Sequence, residues 1–300
     1  MLCNLCPRSC GASRTETDGG GVCQMPALPM VARAALHMWE EPPVSGTNGS
    51  GTVFFSGCSL KCVFCQNEQI SHENFGKVIT VERLREICHD LIAQGAHNIN
   101  FVNPTHYAHV LSELLEQPLP VPVVYNTGGY DKVDTLRTLE GKVDVYLPDL
   151  KYLESDNARR WSGAANYPEV ATAAIAEMFR QTGPCVFDEN GLLKKGVIIR
   201  HLVLPGRLEE AKCVMDWVSE QFAPGEVLFS LMSQYTPWGK AKDDPSLGLN
   251  RKLRASEARS AREYMSILGL EGFVQEDSSA QAEYIPPFDL TGVDVLAKSV

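Results

Sequence analysis

Three cysteines stand close together in the first quarter of the chain. Cys58, Cys62 and Cys65 follow the spacing C-x3-C-x2-C within eight residues, directly after the apolar run 52–55. A turn this close to a strand end can direct three thiolates at one centre, either zinc or an iron–sulfur cluster. A structural zinc or an electron-transfer cluster normally takes four protein ligands, so three cysteines leave one position open. That open position is where a substrate or cosubstrate can bind.

A second group of cysteines lies at the start of the chain. Cys3, Cys6, Cys10 and Cys23 follow the spacing C-x2-C-x3-C-x12-C. Four cysteines can close a tetrahedral site, and a metal would order a segment that is too short to build its own core. The spacing fits zinc and an auxiliary iron–sulfur cluster equally well. Cysteines without a metal, on an unstructured arm, are the alternative.

Composition and charge exclude several classes of protein. The chain has 300 residues, a formal net charge of −10 and no Lys/Arg-dense stripe, which excludes a nucleic-acid partner. No apolar run is long enough to span a bilayer, and residues 1–6 lack the features of a signal peptide. Seven of the ten cysteines fall in the two groups, which indicates metal binding rather than disulfides. We therefore expect a cytoplasmic protein with no membrane partner.

The rest of the chain alternates between strand-like and helical patterns. The predicted helices between the strands are 81–94, 109–115, 133–139, 158–160, 167–180, 208–221 and 255–268. The predicted strands are 52–55, 98–102, 121–125, 143–147, 197–204 and 227–231, with 30–39 as an earlier strand and 40–51 as a turn. This alternation predicts an α/β fold whose parallel sheet curls towards a barrel, with the site at the carboxyl ends of the strands.

The loop around the three cysteines resembles the cluster loop of radical S-adenosylmethionine (SAM) enzymes, which also have an aromatic residue, here Phe64, before the last cysteine. In that superfamily three cysteines hold a [4Fe–4S] cluster, and SAM chelates the fourth iron. One electron then cleaves SAM to methionine and a 5′-deoxyadenosyl radical, which abstracts a hydrogen atom. The resemblance implies a partial (β/α)6 barrel over residues 31–300, preceded by a cysteine-rich metal-binding segment over residues 1–30. A zinc knuckle is the alternative interpretation of the spacing.

Flanking residues narrow the resemblance to the branch that activates glycyl radical enzymes. Gly57 precedes the first cysteine, and Gln66 and Asn67 follow the last, where that branch usually has Cys-His-Asn. The resemblance implies that Asn67 contributes to cofactor binding. Four motifs are similar to those of a subgroup that is related to pyruvate formate-lyase activating enzyme. They lie at residues 3–11, 49–58, 65–71 and 200–206.

The same resemblance indicates partners but not a substrate. It implies a glycyl radical enzyme, or another protein or peptide, as the substrate, and an electron donor such as flavodoxin or ferredoxin. Two other hypotheses stay open. One is a radical SAM oxidoreductase that modifies a different peptide or a small molecule, and the other is a metal-binding scaffold without catalysis.

Strand ends supply the residues that would bind SAM. Asn103 and Thr105 stand where the superfamily usually has Gly-Gly-Glu, and their oxygens can accept hydrogen bonds from the amino group. A turn that caps the next helix is the alternative for these two residues. Asp149 and Lys151 resemble the Asp-x-Lys element of the activating enzymes; the lysine can pair with the SAM carboxylate, while a surface ion pair is the alternative. Arg200, within a strand, needs a buried partner, either the cofactor or a neighbouring Asp or Glu.

Overall fold

The computed structural model describes residues 2–275 and 286–294 and is built around one large sheet. Its strands are β1 (Met30–His37), β2 (Ser50–Phe55), β3 (Lys77–Val78), β4 (Ile99–Val102), β5 (Val123–Thr127), β6 (Val145–Pro148), β7 (Val186–Phe187), β8 (Leu193–Leu202), β9 (Leu228–Met232) and β10 (Gly272–Gln275). Its helices are α1 (Pro42–Ser45), α2 (Glu68–Ser71), α3 (Val81–Ala93), α4 (Ala108–Leu114), α5 (Val133–Arg137), α6 (Ser155–Ser162), α7 (Tyr167–Thr182), α8 (Leu208–Gln221), α9 (Lys240–Asp243) and α10 (Ala255–Ile267).

The sheet is mostly parallel and has the order β10-β9-β8-β6-β5-β4-β2-β1-β3. Neighbours from β10 to β2 run parallel, whereas β1 returns antiparallel beside β2, and β3 is antiparallel to β1. The predicted α/β class is therefore confirmed, and all six predicted parallel strands are present. The structure adds β10 as a further parallel strand, β7 as a short antiparallel partner of β8, and the two-residue edge strand β3. Every residue of β2, β5 and β6 is buried, because helices cover the sheet.

Helix α3 shows how the local sequence sets these elements. The hydroxyl of Thr80 accepts a hydrogen bond from the Arg83 amide at 3.2 Å and caps the first turn, as predicted. The buried face of the helix consists of Leu84, Ile87, Cys88 and Leu91. Gly95, at a φ of +96°, follows the helix end. Within the described ranges, none of the helices is both long and apolar enough to cross a bilayer.

The N-terminal segment is fastened to the rest of the protein by buried polar contacts. The Arg14 guanidinium is 2% exposed and donates to the carbonyl of His106 at 2.7 Å and to that of Pro26 at 3.1 Å. The Thr135 hydroxyl donates to the Leu5 carbonyl at 2.7 Å. A buried charge is tolerated only where hydrogen bonds compensate its desolvation. These bonds therefore fix the segment in place, while the division at residue 30 stays a prediction.

Candidate metal and cofactor site

The loop that carries the three cysteines leaves the end of β2 and turns sharply. Gly57 has a φ of +80°, and a Cβ there would lie 2.3 Å from the Met25 Cγ, so both the backbone conformation and the close contact require glycine. Its amide donates to the Ile70 carbonyl at 2.8 Å. Further on, the amide of Cys65 donates to the carbonyl of Cys62 at 3.2 Å, which closes a second turn. The loop thereby directs its thiols into the interior.

All three cysteines line one cavity of about 1150 Å³. The other predicted site residues on its wall are Asn67, Asn103, Asp149, Lys151 and Arg200. Thr105 lies off this wall: it is buried, and its hydroxyl is 3.2 Å from that of Thr127. The volume is at the upper end for small-molecule sites and leaves room for a substrate beside a nucleoside cofactor.

The thiols sit in an environment that suits a cluster. Burial raises the pKa of Cys62 to about 12, despite the opposing charge of Lys151, and burial also raises the pKa of Cys65. The Ser162 hydroxyl lies 2.9 Å from the Cys62 Sγ, and the Ser71 hydroxyl donates to the Cys65 Sγ at 3.3 Å. A metal centre binds cysteines as thiolates, so its binding would release the protons of these thiols.

The three cysteines supply the ligands that an iron–sulfur cluster requires. A four-iron cluster takes one thiolate on each iron, so its cysteines do not need to converge on one atom. Cys58, Cys62 and Cys65 lie on one cavity wall. Their donor set therefore fits a [4Fe–4S] cluster.

A network of charges covers the wall beside Cys62. The Arg200 guanidinium donates to Asp149 Oδ1 at 2.9 Å and to Asn126 Oδ1 at 2.7 Å, and it lies 3.5 Å from a Glu40 carboxylate oxygen. The Lys151 ammonium donates to Asp149 Oδ2. Burial acts to raise the pKa of Asp149, but Arg200 and Lys151 outweigh it and lower that pKa. Asp149 and Lys151 are only 16% and 20% exposed, so they do not form a surface pair.

Sequence reasoning missed three residues of this wall. Glu40 and Glu41 were assigned to a turn, and Asn126 to a strand end without a role, yet all three line the cavity. Burial raises the pKa of both glutamates, and the Arg200 charge offsets this only in part. One carboxyl oxygen of Glu41 has no hydrogen-bond partner among the described residues. A pair of acids directly after a strand was the only available signal, and it did not show that β1 returns them into the interior.

The buried carboxyl of Glu41 predicts a pH-dependent stability. The Glu41 carboxyl binds its proton more tightly in the folded state than in the unfolded chain. The carboxyl therefore contributes to the free energy of unfolding below about pH 4.3, and this contribution is lost as the pH rises through the raised pKa. The variant Glu41→Gln should therefore gain unfolding free energy relative to the wild type as the pH rises from about 4 to about 8. Urea unfolding at both pH values measures this. The exposed Glu116→Gln is the control, and an equal pH response of both variants would contradict the prediction.

Comparison with known proteins identifies several proteins that are similar to this chain. A family model described as a 4Fe-4S single cluster domain matches residues 44–167. An uncharacterised protein from Methanocaldococcus jannaschii is 32% identical over 273 residues, covering 87% of this chain and 73% of that protein. The crystal structure of Streptococcus suis SuiB bound to S-adenosylmethionine matches 75% of this chain and 50% of its own, with 15% identity and a TM-score of 0.50. The chain is homologous to the Methanocaldococcus jannaschii protein. It also contains a region that matches a 4Fe-4S domain and shares the fold of SuiB.

A second curated relative matches a smaller part of the chain. The 7-carboxy-7-deazaguanine synthase of Methanothermobacter thermautotrophicus is 31% identical over 111 residues, which is 36% of this chain and 44% of the synthase. The chain spans about half the length of SuiB, and that similarity shows the fold alone. The function of this chain therefore has to be inferred from its own residues.

Proposed function

We propose that Cys58, Cys62 and Cys65 hold the [4Fe–4S] cluster and that the enzyme abstracts a hydrogen atom from the glycine of a glycyl radical enzyme. One observation supports the site: the three cysteines and the Asp149–Lys151–Arg200 network share one cavity wall. When bound, the cluster and SAM supply the 5′-deoxyadenosyl radical that removes the hydrogen atom. The oxidoreductase assignment and the glycyl substrate rest on the motifs of the activating branch.

The chain's own residues would hold SAM against the cluster. Lys151 carries the charge that a carboxylate needs, and the Asp149 carboxylate raises the pKa of this lysine although burial opposes it. Asp149 can accept hydrogen bonds from the SAM ammonium or from ribose hydroxyls. Arg200 is already bonded to Asp149, so we assign it as a positioning residue that orients this carboxylate. Asn67 and Asn103 offer amide oxygens from the same wall.

A protein or peptide substrate is favoured by the exposed part of the cavity wall. Met38, Trp39 and Val274 line the cavity and are 44%, 58% and 37% exposed, respectively. Apolar side chains that stay exposed at the rim of a site suit a partner that covers them. A small polar molecule is the second candidate, because the buried glutamates end the cavity with a carboxyl oxygen that lacks a partner in the described part of the chain.

The activating function predicts a radical on an added partner. Reduced protein, supplied with SAM and a glycyl radical enzyme from the same organism, should produce the glycyl doublet in electron paramagnetic resonance (EPR) spectra. The same enzyme with its radical glycine replaced by alanine is the matched control and should give no signal. SAM cleavage without a glycyl radical on any of the organism's glycyl radical enzymes would reject this substrate and favour the second candidate.

A further inference from the structure

Two adjacent glutamates, Glu40 and Glu41, form the inner end of the cavity. Both lie on the cavity wall, and Glu41 is only 2% exposed. The turn after β1 fixes their backbone: the Glu40 amide donates to the Ser45 hydroxyl at 2.9 Å, and the Glu41 carbonyl accepts from the Val44 amide at 2.8 Å. The two side chains therefore start from a backbone that is fixed before any ligand binds.

The acidic side chains at this end outnumber the cations beside them. Three carboxyl groups, those of Glu40, Glu41 and Asp149, share the wall with one guanidinium and one ammonium, those of Arg200 and Lys151. Arg200 lies 2.9 Å from Asp149 and 3.5 Å from Glu40, and Lys151 also bonds to Asp149. Within the residues that the structure describes, Glu41 forms no ion pair. One carboxyl group is therefore left without a cation of its own.

Glu41 also has an incomplete set of hydrogen bonds. Its Oε2 is buried and has no partner among the described residues. The Ser230 hydroxyl on β9 acts to lower the pKa of Glu41 and so faces it, yet this hydroxyl likewise has no hydrogen bond in the described part of the chain. Burial outweighs both Ser230 and the charge of Arg200. A buried polar atom without a partner destabilises a fold, so these atoms indicate a place for a ligand.

The charge and the missing hydrogen bonds together select the chemistry of that ligand. An alkylammonium or a guanidinium supplies positive charge and several hydrogen-bond donors at once. A carboxylate or a phosphate would be repelled by Glu40 and Glu41. An apolar group would leave the Glu41 oxygen buried without a partner. The inner end therefore favours a cation that donates hydrogen bonds.

The cysteine loop is a second fixed part of the cavity wall. The Arg8 Nε donates to the carbonyl of Ser59 at 2.7 Å, inside this loop. The Arg8 Nη2 donates to the carbonyl of Ser162 at 3.1 Å, and the hydroxyl of Ser162 contacts the Cys62 Sγ. A site that is formed in advance loses little free energy to ordering when a ligand binds. Arg8 extends from the N-terminal segment, whose four cysteines stay a predicted metal site, with Cys10 exposed and the others buried: Cys3, Cys6 and Cys23.

We propose that the inner end of the cavity binds a positively charged group of the substrate, an alkylammonium or a guanidinium, with the Glu41 carboxylate as its ion-pair partner and Glu40 beside it. A lysine or arginine side chain of a peptide can supply this group, and so can a small free amine. This inference rests on the proposed use of the cavity as the substrate site, and it does not depend on the glycyl substrate.

Two peptides that differ only in an ammonium group test this cation site. In acetyl-norleucyl-glycine amide, the lysine side chain of acetyl-lysyl-glycine amide has lost its ammonium. Isothermal titration calorimetry of unreduced, cluster-loaded protein with SAM should show that the wild type binds the lysyl peptide at least about tenfold more tightly. Glu41→Gln should bind both peptides about equally, because it removes the charge that pairs with the ammonium.

Butylammonium and butanol form a second pair of probes, which distinguishes the two sources of the cation. A preference for the lysyl peptide assigns the site to a side chain of a peptide substrate. A preference for butylammonium over butanol that Glu41→Gln removes, without a preference between the peptides, assigns it to a free amine. Equal affinities of the wild type within both pairs would overturn the proposal, whether or not the variant folds.

Glu210→Gln is the matched control for Glu41→Gln. Burial raises the pKa of Glu210 too, but its carboxylate accepts hydrogen bonds from the Glu154 amide and the Asn157 side chain, and it does not line the cavity. This variant should keep the wild-type preference. A loss of SAM affinity in Glu41→Gln, without a preference in the wild type, would assign the carboxylate to SAM and overturn the proposal. These measurements need no turnover, so they can succeed while the glycyl radical experiment fails.

Discussion

Replacing Cys62 with alanine should abolish the cleavage of SAM. Cys62 is one of the three thiols on the cavity wall, it is 8% exposed, and its charge acts on the neighbouring Lys151. Without the Cys62 thiol, the cluster on Cys58 and Cys65 loses a ligand that no other described side chain is placed to replace. In reduced, reconstituted protein, 5′-deoxyadenosine and methionine should fall to the level seen without enzyme, and iron should fall by about four per chain. Chromatography of the products and iron analysis measure both effects.

Cys213→Ala is the matched control for this experiment. Cys213 is exposed on α8, outside the cavity, so its removal should leave product formation and iron content unchanged. The comparison also tests the hypothesis of a metal-binding scaffold. A scaffold would yield no 5′-deoxyadenosine from the wild type, and Cys62→Ala would then alter stability alone.

Replacing Arg200 with methionine should cost about 3–5 kcal/mol of unfolding free energy and weaken SAM binding. The guanidinium is 16% exposed and compensates two carboxylates that are similarly buried, Asp149 and Glu40. Methionine keeps much of the apolar volume but leaves Glu40 without its cation and Asp149 with Lys151 alone. Urea unfolding measures the stability, and equilibrium dialysis of the cluster-loaded protein measures the affinity for SAM.

Arg180→Met provides the comparison for Arg200. Arg180 also bonds to two carboxylates, Glu140 and Glu177, but its side chain is 50% exposed, so its loss should cost at most about 1 kcal/mol. In the Arg200→Met background, the further change Glu40→Gln should restore part of the lost stability because it removes an uncompensated buried charge. Equal losses of unfolding free energy for Arg200→Met and Arg180→Met would show that the cavity network stabilises the fold no more than an exposed ion pair does.

Strong local signals explain which parts of the fold the sequence predicts. The parallel strands β2, β4, β5, β6, β8 and β9 are apolar runs bounded by Gly, Pro or polar residues, and each was predicted to within a few residues. The missed strands β3, β7 and β10 have two to four residues, and partly or fully exposed side chains predominate in them. Such short edge strands owe their conformation to the neighbouring strand rather than to a periodic pattern of their own.

The candidate site also contains residues that the sequence predicts and residues that it misses. Asn103, Asp149 and Lys151 could be brought together from sequence because the carboxyl ends of parallel strands meet at one edge of the sheet. Glu40 and Glu41 enter the same cavity from the antiparallel strand β1, whose direction no local pattern specifies. Thr105 follows Asn103 closely in sequence but starts a 3-10 turn, which leaves its hydroxyl beside Thr127 rather than on the cavity wall.

The contacts of Arg8 have a consequence for the order of events during synthesis. Its hydrogen-bond acceptors on α6 and just beyond it, Ser162 and Gly163, follow it by 154 and 155 residues. A ribosome releases the chain from its N-terminus, so the first four cysteines emerge long before the surface that anchors them. Until half of the protein has been made, their loop therefore lacks these two hydrogen bonds, and its thiols stay accessible to metal ions and to oxidants.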